Sequence, residues 1–291
     1  MTTIATEFPR SFRVSISNNF HPIPMLLEPV KPGEAPELSD DDASAPKSIG
    51  KGDDLKEKLE KQLEKIGELQ NVFYADGRHS LLVILQGRDA SGKDGVVRSV
   101  IGACNPSGVR VESFKAPTPV ELAHDYLWRV HQRVPEKGMI GIFNRSHYED
   151  VLVVRVHSLV PESVWSKRYD QINNFEKMLT ENGTVILKFF LHVSRDEQKE
   201  RLRERVEDET KNWKFNAGDL DERKLWDEYT AAYRDALAKC STEWAPWYVV
   251  PGDSNKARNY LIAKRIVATL ESLDLEYPKP KTDLSEYLKL L

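Results

Sequence analysis

Cysteine is scarce: two residues in 291, Cys104 and Cys240. That excludes a disulfide scaffold and a cysteine-rich zinc site. Two isolated thiols are expected as small buried hydrophobes in a reducing cytosol. No apolar run approaches the ~20 residues that cross a bilayer. The opening stretch MTTIATEFPRSF lacks the continuous apolar segment of a signal peptide. A cytoplasmic protein without a membrane partner is expected. A basic excess is missing too. Lys and Arg number 42 against 46 Asp and Glu, for a net charge of −4. A dedicated nucleic-acid binder shows the opposite sign, although a local basic groove fits these numbers. No internal repeat appears, which argues for one catalytic-sized unit and against a duplication.

What is present is enough chain to bury roughly three quarters of its unfolded surface without staples. Residues 1–50 read as an N-terminal arm. Their stretch HPIPMLLEPVKPGEAPELSDDDASAPK is rich in Pro, Asp and Ser and favours irregular backbone. Its apolar patch, Ile23, Met25, Leu26 and Leu27, is suited to docking on a neighbouring surface. Residues 51–291 read as a single domain. Leu55, Leu59, Leu63, Ile66 and Leu69 recur at helical spacing over 51–70, predicting a charged helix that buries one stripe. Apolar runs at Ser80–Gln86, Val109–Phe114, Met139–Phe143, Thr184–Val193 and Trp247–Pro251 read as strands. Helical patterns separate them, over about 92–104, 119–134, 161–181, 195–208, 219–240 and 253–273. Strands alternating with helices predict a mostly parallel five-stranded sheet, in an α/β fold with helices on both faces.

The most informative stretch is LLVILQGRDASGKDG. A strand ends and Gly87, Arg88, Asp89, Ala90, Ser91, Gly92 and Lys93 follow as G-x-x-x-x-G-K before a helix, which is the context a phosphate loop requires. Glycines let backbone amides converge on phosphate oxygens, and the next helix aims its positive end at the same anion. Lys93 adds a mobile point charge. Two carboxylates break the usual pattern. Asp94 stands where Ser or Thr normally binds magnesium, with Gly95 after it, and Asp89 lies inside the loop. Acids near bound phosphate make sense if divalent cations bridge the two kinds of oxygen. Asp94 equally fits an exposed first-turn acid favourable to the helix dipole.

The third expected strand runs into Asn144, Arg145, Ser146, His147, Tyr148, Glu149 and Asp150. In a parallel sheet this segment and the phosphate loop share the carboxyl edge, where ligands gather. A carboxylate here could complete a metal site with Asp89, and Arg145 could grip phosphate oxygens with its planar fork. His147, with no second His at ligand spacing, reads as a packing residue, and no phosphohistidine is expected. After the fourth strand comes an arginine-rich stretch in which Arg201 and Arg205 share a helix face, followed by Lys211, Trp213 and Lys214. These residues alone fit two descriptions equally well. One is a solvated helix laced with pairs such as Glu197–Arg201. The other is a mobile lid that carries arginines onto a transferring phosphate.

Taken together, GRDASGKDG, VESFKAPTPVELAHDYLWRVHQRVP, FNRSHYED and EQKERLRERVEDETKNWKF resemble the family-2 polyphosphate kinases over about residues 50–277. The resemblance implies a P-loop kinase-like, three-layer α/β/α sandwich with a helical lid over about 195–224. It implies magnesium, with manganese as a substitute, and inorganic polyphosphate as partner. Asp89 and Asp150 match the magnesium-holding pair, Lys93 the loop lysine, Arg145 the post-strand phosphate arginine, and Arg201 and Arg205 the lid arginines. Lys115, Arg129 and His131 fall in a matching segment that lines the phosphate channel, and Phe114 stands where it could hold a base. Asn144 and Glu149 replace the Asp and Asn of other classes, a version that looks like the third class, which phosphorylates both AMP and ADP. Adenine nucleotides, with guanine as the other candidate, and assembly into a dimer or tetramer follow from the same resemblance. The alternative enzyme is an ATP-dependent nucleoside monophosphate kinase, for which polyphosphate is dispensable. Outside catalysis stand a nucleotide- or polyphosphate-binding regulator and a structural protein assembled through the 51–70 helix.

Overall fold

A computed structural model describes residues 27–291. Ile23, Met25 and Leu26 of the apolar patch lie outside the described residues. Five strands form one sheet: β1 (Ser80–Gln86), β2 (Val109–Ser113), β3 (Ile140–Asn144), β4 (Thr184–His192) and β5 (Trp247–Pro251). Their order is β2-β3-β1-β4-β5 and every pairing is parallel. From β1 the chain first builds toward β2 and then crosses to β4. The crevice outside the carboxyl ends therefore opens where the winding reverses, beside β1.

All seven residues of β1 are buried, as a central parallel strand requires. Alternation divides them between two cores. Leu81, Val83 and Leu85 join Ile66, Phe73, Leu261 and Ile262 on one face. Leu82 and Ile84 join Ile172, Phe175, Ala236 and Leu237 on the other. The first face is covered by α1 (Gly52–Asp76), which packs on the C-terminal helix Asn255–Glu271. The leucine stripe of α1 is thus consumed within the chain: Leu55 and Ile66 are buried, with Leu59, Leu63 and Leu69 packed against the same core. The arrangement is the expected α/β/α sandwich.

The remaining helices used below are α2 (Lys93–Ser99), α3 (Arg168–Glu181), α4 (Arg195–Glu207), α5 (Gly218–Lys224), α6 (Trp226–Cys240) and α7 (Asn255–Glu271). Three expected helices are interrupted. The 119–134 pattern is two single turns, Pro119–Leu122 and Trp128–His131. Thr118 and Glu121 cap the first reciprocally, and Asp125 Oδ1 accepts from Leu127 N at 3.0 Å between them. Such local side-chain bonds compete with a continuous helix. The 161–181 pattern divides into Glu162–Trp165 and α3, and the 219–240 pattern breaks at Leu225 into α5 and α6.

Residues 27–50 run along β5 and over the carboxyl edge of the sheet. Val30 N donates to Trp247 O at 2.8 Å. His192 Nε2 donates to Ser39 O at 2.6 Å, and Arg195 N donates to Asp40 Oδ1 at 3.1 Å. Leu27, Leu38, Ala43 and Ile49 are buried.

Candidate active site

Strand β1 delivers the phosphate loop 87–92 to the crevice. Gly87 (φ 158°) and Gly92 (φ 96°) turn the chain, and Ala90 takes a left-handed φ of 60°, which costs a non-glycine residue about 1–2 kcal/mol. The loop carbonyls share one feature: each is held by a donor from outside the loop's concavity or within its own turns. Gly87 O and Arg88 O accept from Lys93 Nζ at 2.8 and 3.1 Å. Asp89 O accepts from Gln198 Nε2 at 3.0 Å. Ala90 O accepts from Arg201 Nη1 at 3.0 Å, and Ser91 O from Arg258 Nη1 at 3.3 Å. Ser91 N is itself engaged, donating to Arg88 O at 3.1 Å; carbonyls held in this way leave the other loop amides available to an anion.

Lys93 is buried. Burial pushes its ammonium down to about 8, and the Arg145 guanidinium adds to the effect. Arg145 leaves the end of β3 in a left-handed conformation, φ 62°, fixed by its N–H donating to Leu85 O at 3.0 Å. Its guanidinium reaches Asp89 Oδ1 at 2.5 Å and Glu149 Oε2 at 3.4 Å. A strained non-glycine backbone beside a phosphate loop is the kind of outlier that gathers at functional sites. Gln86 Nε2 donates to Glu149 Oε1 at 3.2 Å. Asn144 Nδ2 donates to Asp94 Oδ1 at 2.6 Å, so the departure at 144 is matched by the departure at 94.

The two expected metal acids stand in separate ion pairs. Asp150 Oδ1 is 2.9 Å from Arg168 Nη1. Burial raises its carboxyl to about 6 in spite of Arg168 and Arg129. Arg168 also donates to the Asp150 carbonyl at 3.0 Å, but each arginine engages only Oδ1 of the carboxylate itself, which offers about four lone-pair sites. Among the described residues no group of three or more His, Cys, Asp or Glu is arranged to hold a metal. One or two carboxylates completed by phosphate oxygens is the usual donor set for magnesium, and each of these two acids keeps a second carboxylate oxygen that its arginine does not engage.

The segment expected as a lid is built from α4, a single turn at Asn212–Lys214, and α5. Arg201 donates to Gly252 O and Asp253 O at 2.7 and 3.0 Å and pairs with Glu197 at 2.8 Å. It therefore ties α4 to both the phosphate loop and the β5–α7 connection. Arg205 pairs with Asp219 at 2.8 Å. Lys211 pairs with Glu204 and Asp208, while Lys214 lies against the exposed ring of Trp213.

Phe114 is buried, edge-on to Phe143 and 5.5 Å from the Arg129 guanidinium. Arg129 Nη1 donates to Lys115 O at 2.8 Å, and the His131 ring meets Phe175 edge-on. His147 is fully buried with Nε2 3.2 Å from Glu176 Oε1, as expected of a packing residue. Glu176 also bonds Tyr148 and Lys188 at 2.9 and 2.5 Å, inside the second core.

A cavity between the phosphate loop and the start of α6 is lined by Arg88, Asp89, Arg145, Glu149, Arg223 and Trp226. Sequence reasoning missed Trp226 and Arg223, and also Gln198 and Arg258. Gln198 lies three and seven residues before Arg201 and Arg205, so the shared helix face was a usable signal. Arg258 has none: it lies on the inward face of a helix beside Ala257, Leu261 and Ile262.

The family model for polyphosphate kinase 2 (PPK2) matches residues 49–278. The chain belongs to the polyphosphate kinase 2 family. It is similar to an AMP/ADP-polyphosphate phosphotransferase of Meiothermus ruber, 58% identical over 224 residues covering 77% of this chain and 83% of the relative. An ADP-polyphosphate phosphotransferase of Rhodopseudomonas palustris is 47% identical over 77% of this chain and 81% of its own length. The crystal structure of a polyphosphate kinase 2 from Arthrobacter aurescens superimposes with a TM-score of 0.85 at 41% identity, covering 90% of this chain and 97% of the other. Membership in the polyphosphate kinase 2 family makes the chain a kinase-type phosphotransferase and disfavours the ATP-dependent monophosphate kinase. Among the described residues no helix is long and apolar enough to cross a membrane.

Proposed function

We propose that this chain moves the terminal phosphoryl group of inorganic polyphosphate onto AMP and onto ADP, reversibly, in the cytoplasm and with magnesium. The observation that carries the reading is the phosphate loop with its carbonyls engaged, set beside the Arg145–Asp89 pair at the carboxyl edge of the sheet. The names of the relatives support polyphosphate as donor and both nucleotides as acceptors.

In the forward direction a terminal phosphate oxygen of the nucleotide attacks the terminal phosphorus of polyphosphate. The anhydride bond behind that phosphorus breaks, and the shortened polyphosphate keeps the bridging oxygen and its electrons. One phosphoanhydride replaces another, so the balance is near even. Such a transfer needs alignment and charge neutralisation more than covalent help from the protein.

The loop amides and Lys93 hold phosphate oxygens. Arg145 orients Asp89 and adds positive charge on the same side. Arg205, now on Asp219, is the lid cation free to follow a closing lid onto the moving group, whereas Arg201 keeps the base of the lid fixed to the loop. Asp89 and Asp150 would hold magnesium, with manganese able to substitute. When bound, the ion neutralises phosphate charge and polarises the bridging oxygens. Arg88, Asn144, Glu149, Lys115, Arg129, His131, Lys211 and Lys214 line or support the approach.

Chromatography of nucleotides after incubation with polyphosphate and magnesium tests the acceptor range. ADP and ATP from AMP, together with ATP from ADP, is the expected outcome. ATP from ADP alone would remove AMP from the reading.

A further inference from the structure

Arg258 is a buried cation that the reaction described above does not use. Its side chain is almost wholly enclosed, 1% exposed, yet among the described residues no carboxylate pairs with it. Its acceptors are neutral: Asn255 Oδ1 at 2.7 Å, Asn259 Oδ1 at 2.9 and 3.2 Å, and Ser91 O at 3.3 Å. Buried charges are ordinarily paired, so an unneutralised guanidinium needs a reason.

Its position supplies one. A Cβ on Gly92 would fall 2.0 Å from Nη1 of Arg258, and one on Gly95 would fall 2.9 Å from Nη2. The guanidinium is therefore wedged against the turn from phosphate loop into α2, and Arg258 is not among the residues that line the cavity. A side chain at either position would push this guanidinium out of its place. Arg201 is the neighbouring charge that acts on it. Two cations thus stand behind one loop, each bonded to a loop carbonyl.

We infer that Arg258 is a positioning residue of the phosphate site, fixing the Ser91 carbonyl outward and placing an uncompensated positive charge behind the loop amides. It touches no phosphate. It acts through the loop: the engaged carbonyl keeps the peptide unit turned so that N–H groups face the crevice, and the unspent charge favours a polyanion in front of them. Asn255 and Asn259 suit this role because they satisfy the donors without cancelling the charge. Aspartate in their place would bond equally well and neutralise it.

This inference rests on the proposed site but is separable from the choice of donor. The test compares wild type with Asn259→Asp and Arg258→Met. Tripolyphosphate binding is measured by calorimetry without nucleotide, and kcat and KM for polyphosphate are measured with ADP. Asn259→Asp keeps Arg258 in place and pairs it. The expected result is thermal stability equal to or above wild type, with tripolyphosphate binding weakened roughly threefold to tenfold and the polyphosphate KM raised to match. A residue that served packing alone would leave affinity untouched. Arg258→Met is expected to weaken binding roughly tenfold or more where it folds, and Asn259→Asp decides the matter where it does not. Affinity and KM within twofold of wild type in folded Asn259→Asp would overturn the inference. Failure of the wild type itself to transfer from polyphosphate would overturn the proposed function instead, and tripolyphosphate binding would still judge Arg258.

Discussion

Nη2 of Arg145 lies 2.5 Å from Oδ1 of Asp89, so an acid inside the phosphate loop and an arginine after the neighbouring strand form one charge pair. The pair joins β1 to β3 across the crevice. It also explains how a loop built for anions tolerates a carboxylate: its charge is compensated before any phosphate arrives. Asp89→Asn removes the acidic half of this pair and a proposed magnesium ligand together. Activity is expected to fall about 10²–10³-fold, the scale of losing one preorganised electrostatic group. Thermal melting should stay near wild type, because both side chains are partly exposed. Near-normal turnover in the folded variant contradicts the assignment.

The Lys93 ammonium, pushed down to about 8 by burial and by Arg145, gives the free enzyme an alkaline limb. The lysine is useful only when protonated, so kcat/KM, which reports the free enzyme, should fall as pH rises through about 8. The stability sign is opposite. A lysine with a depressed folded value releases its proton first in the folded state, so its burial penalty lessens between about 8 and the ordinary lysine value of 10.5. A kcat/KM profile flat to pH 10 contradicts this reading.

Asp150 shows the reverse case for an acid. Burial raises its carboxyl from 3.8 to about 6, so its ionised form is penalised in the folded state. A shift of about two units corresponds to about 3 kcal/mol at most. Asp150→Asn should therefore stabilise the metal-free protein above pH 6, with the gain fading as pH falls from 6 towards 4, while activity drops sharply. Melting curves in chelator across that range check the sign. A destabilised variant at pH 7.5 contradicts it.

Lys188, Glu176, Tyr148 and His147 form a network with no exposed member. Burial alone would raise the Glu176 carboxyl, but Lys188 and His147 outweigh it and hold the group below its usual range. Lys188→Met strands that carboxylate in the core. A loss of about 3–5 kcal/mol is expected, measured by denaturant unfolding. Lys188→Met with wild-type stability would show that Glu176 does not carry a charge there.

Most of the fold was legible because strands buried on both faces are near-continuous apolar runs, as in Leu81–Leu85. The loop and the Arg145 segment were legible because their spacing falls where a parallel sheet presents ligands. The helix break near Asp125 was not, since a local capping bond interrupts a pattern whose apolar spacing continues through it, and the break at Leu225, where the backbone turns out of the helix with no side-chain cap, leaves no mark in that spacing either. Nor was the separation of Asp89 from Asp150 into different ion pairs, because Arg168 lies on a helix that sequence spacing does not place near either acid. Arg201 shows the same gap. Its helix face was readable, but its role as a tie between the loop and the β5–α7 connection depends on contacts with residues 51 and 111 positions away. Arg258 is legible only once Gly92 and Gly95 are seen to leave room for it.

The most direct test of the account is transfer of label. Purified protein, magnesium, ADP and polyphosphate labelled with ³²P are incubated with no ATP added, and the nucleotides are separated. The account predicts that label enters the terminal phosphate of ATP while unlabelled ADP is consumed, and that Lys93→Ala abolishes the transfer. ATP that forms without label, with AMP accumulating as its partner product, would mean that ADP is the donor and would contradict the account.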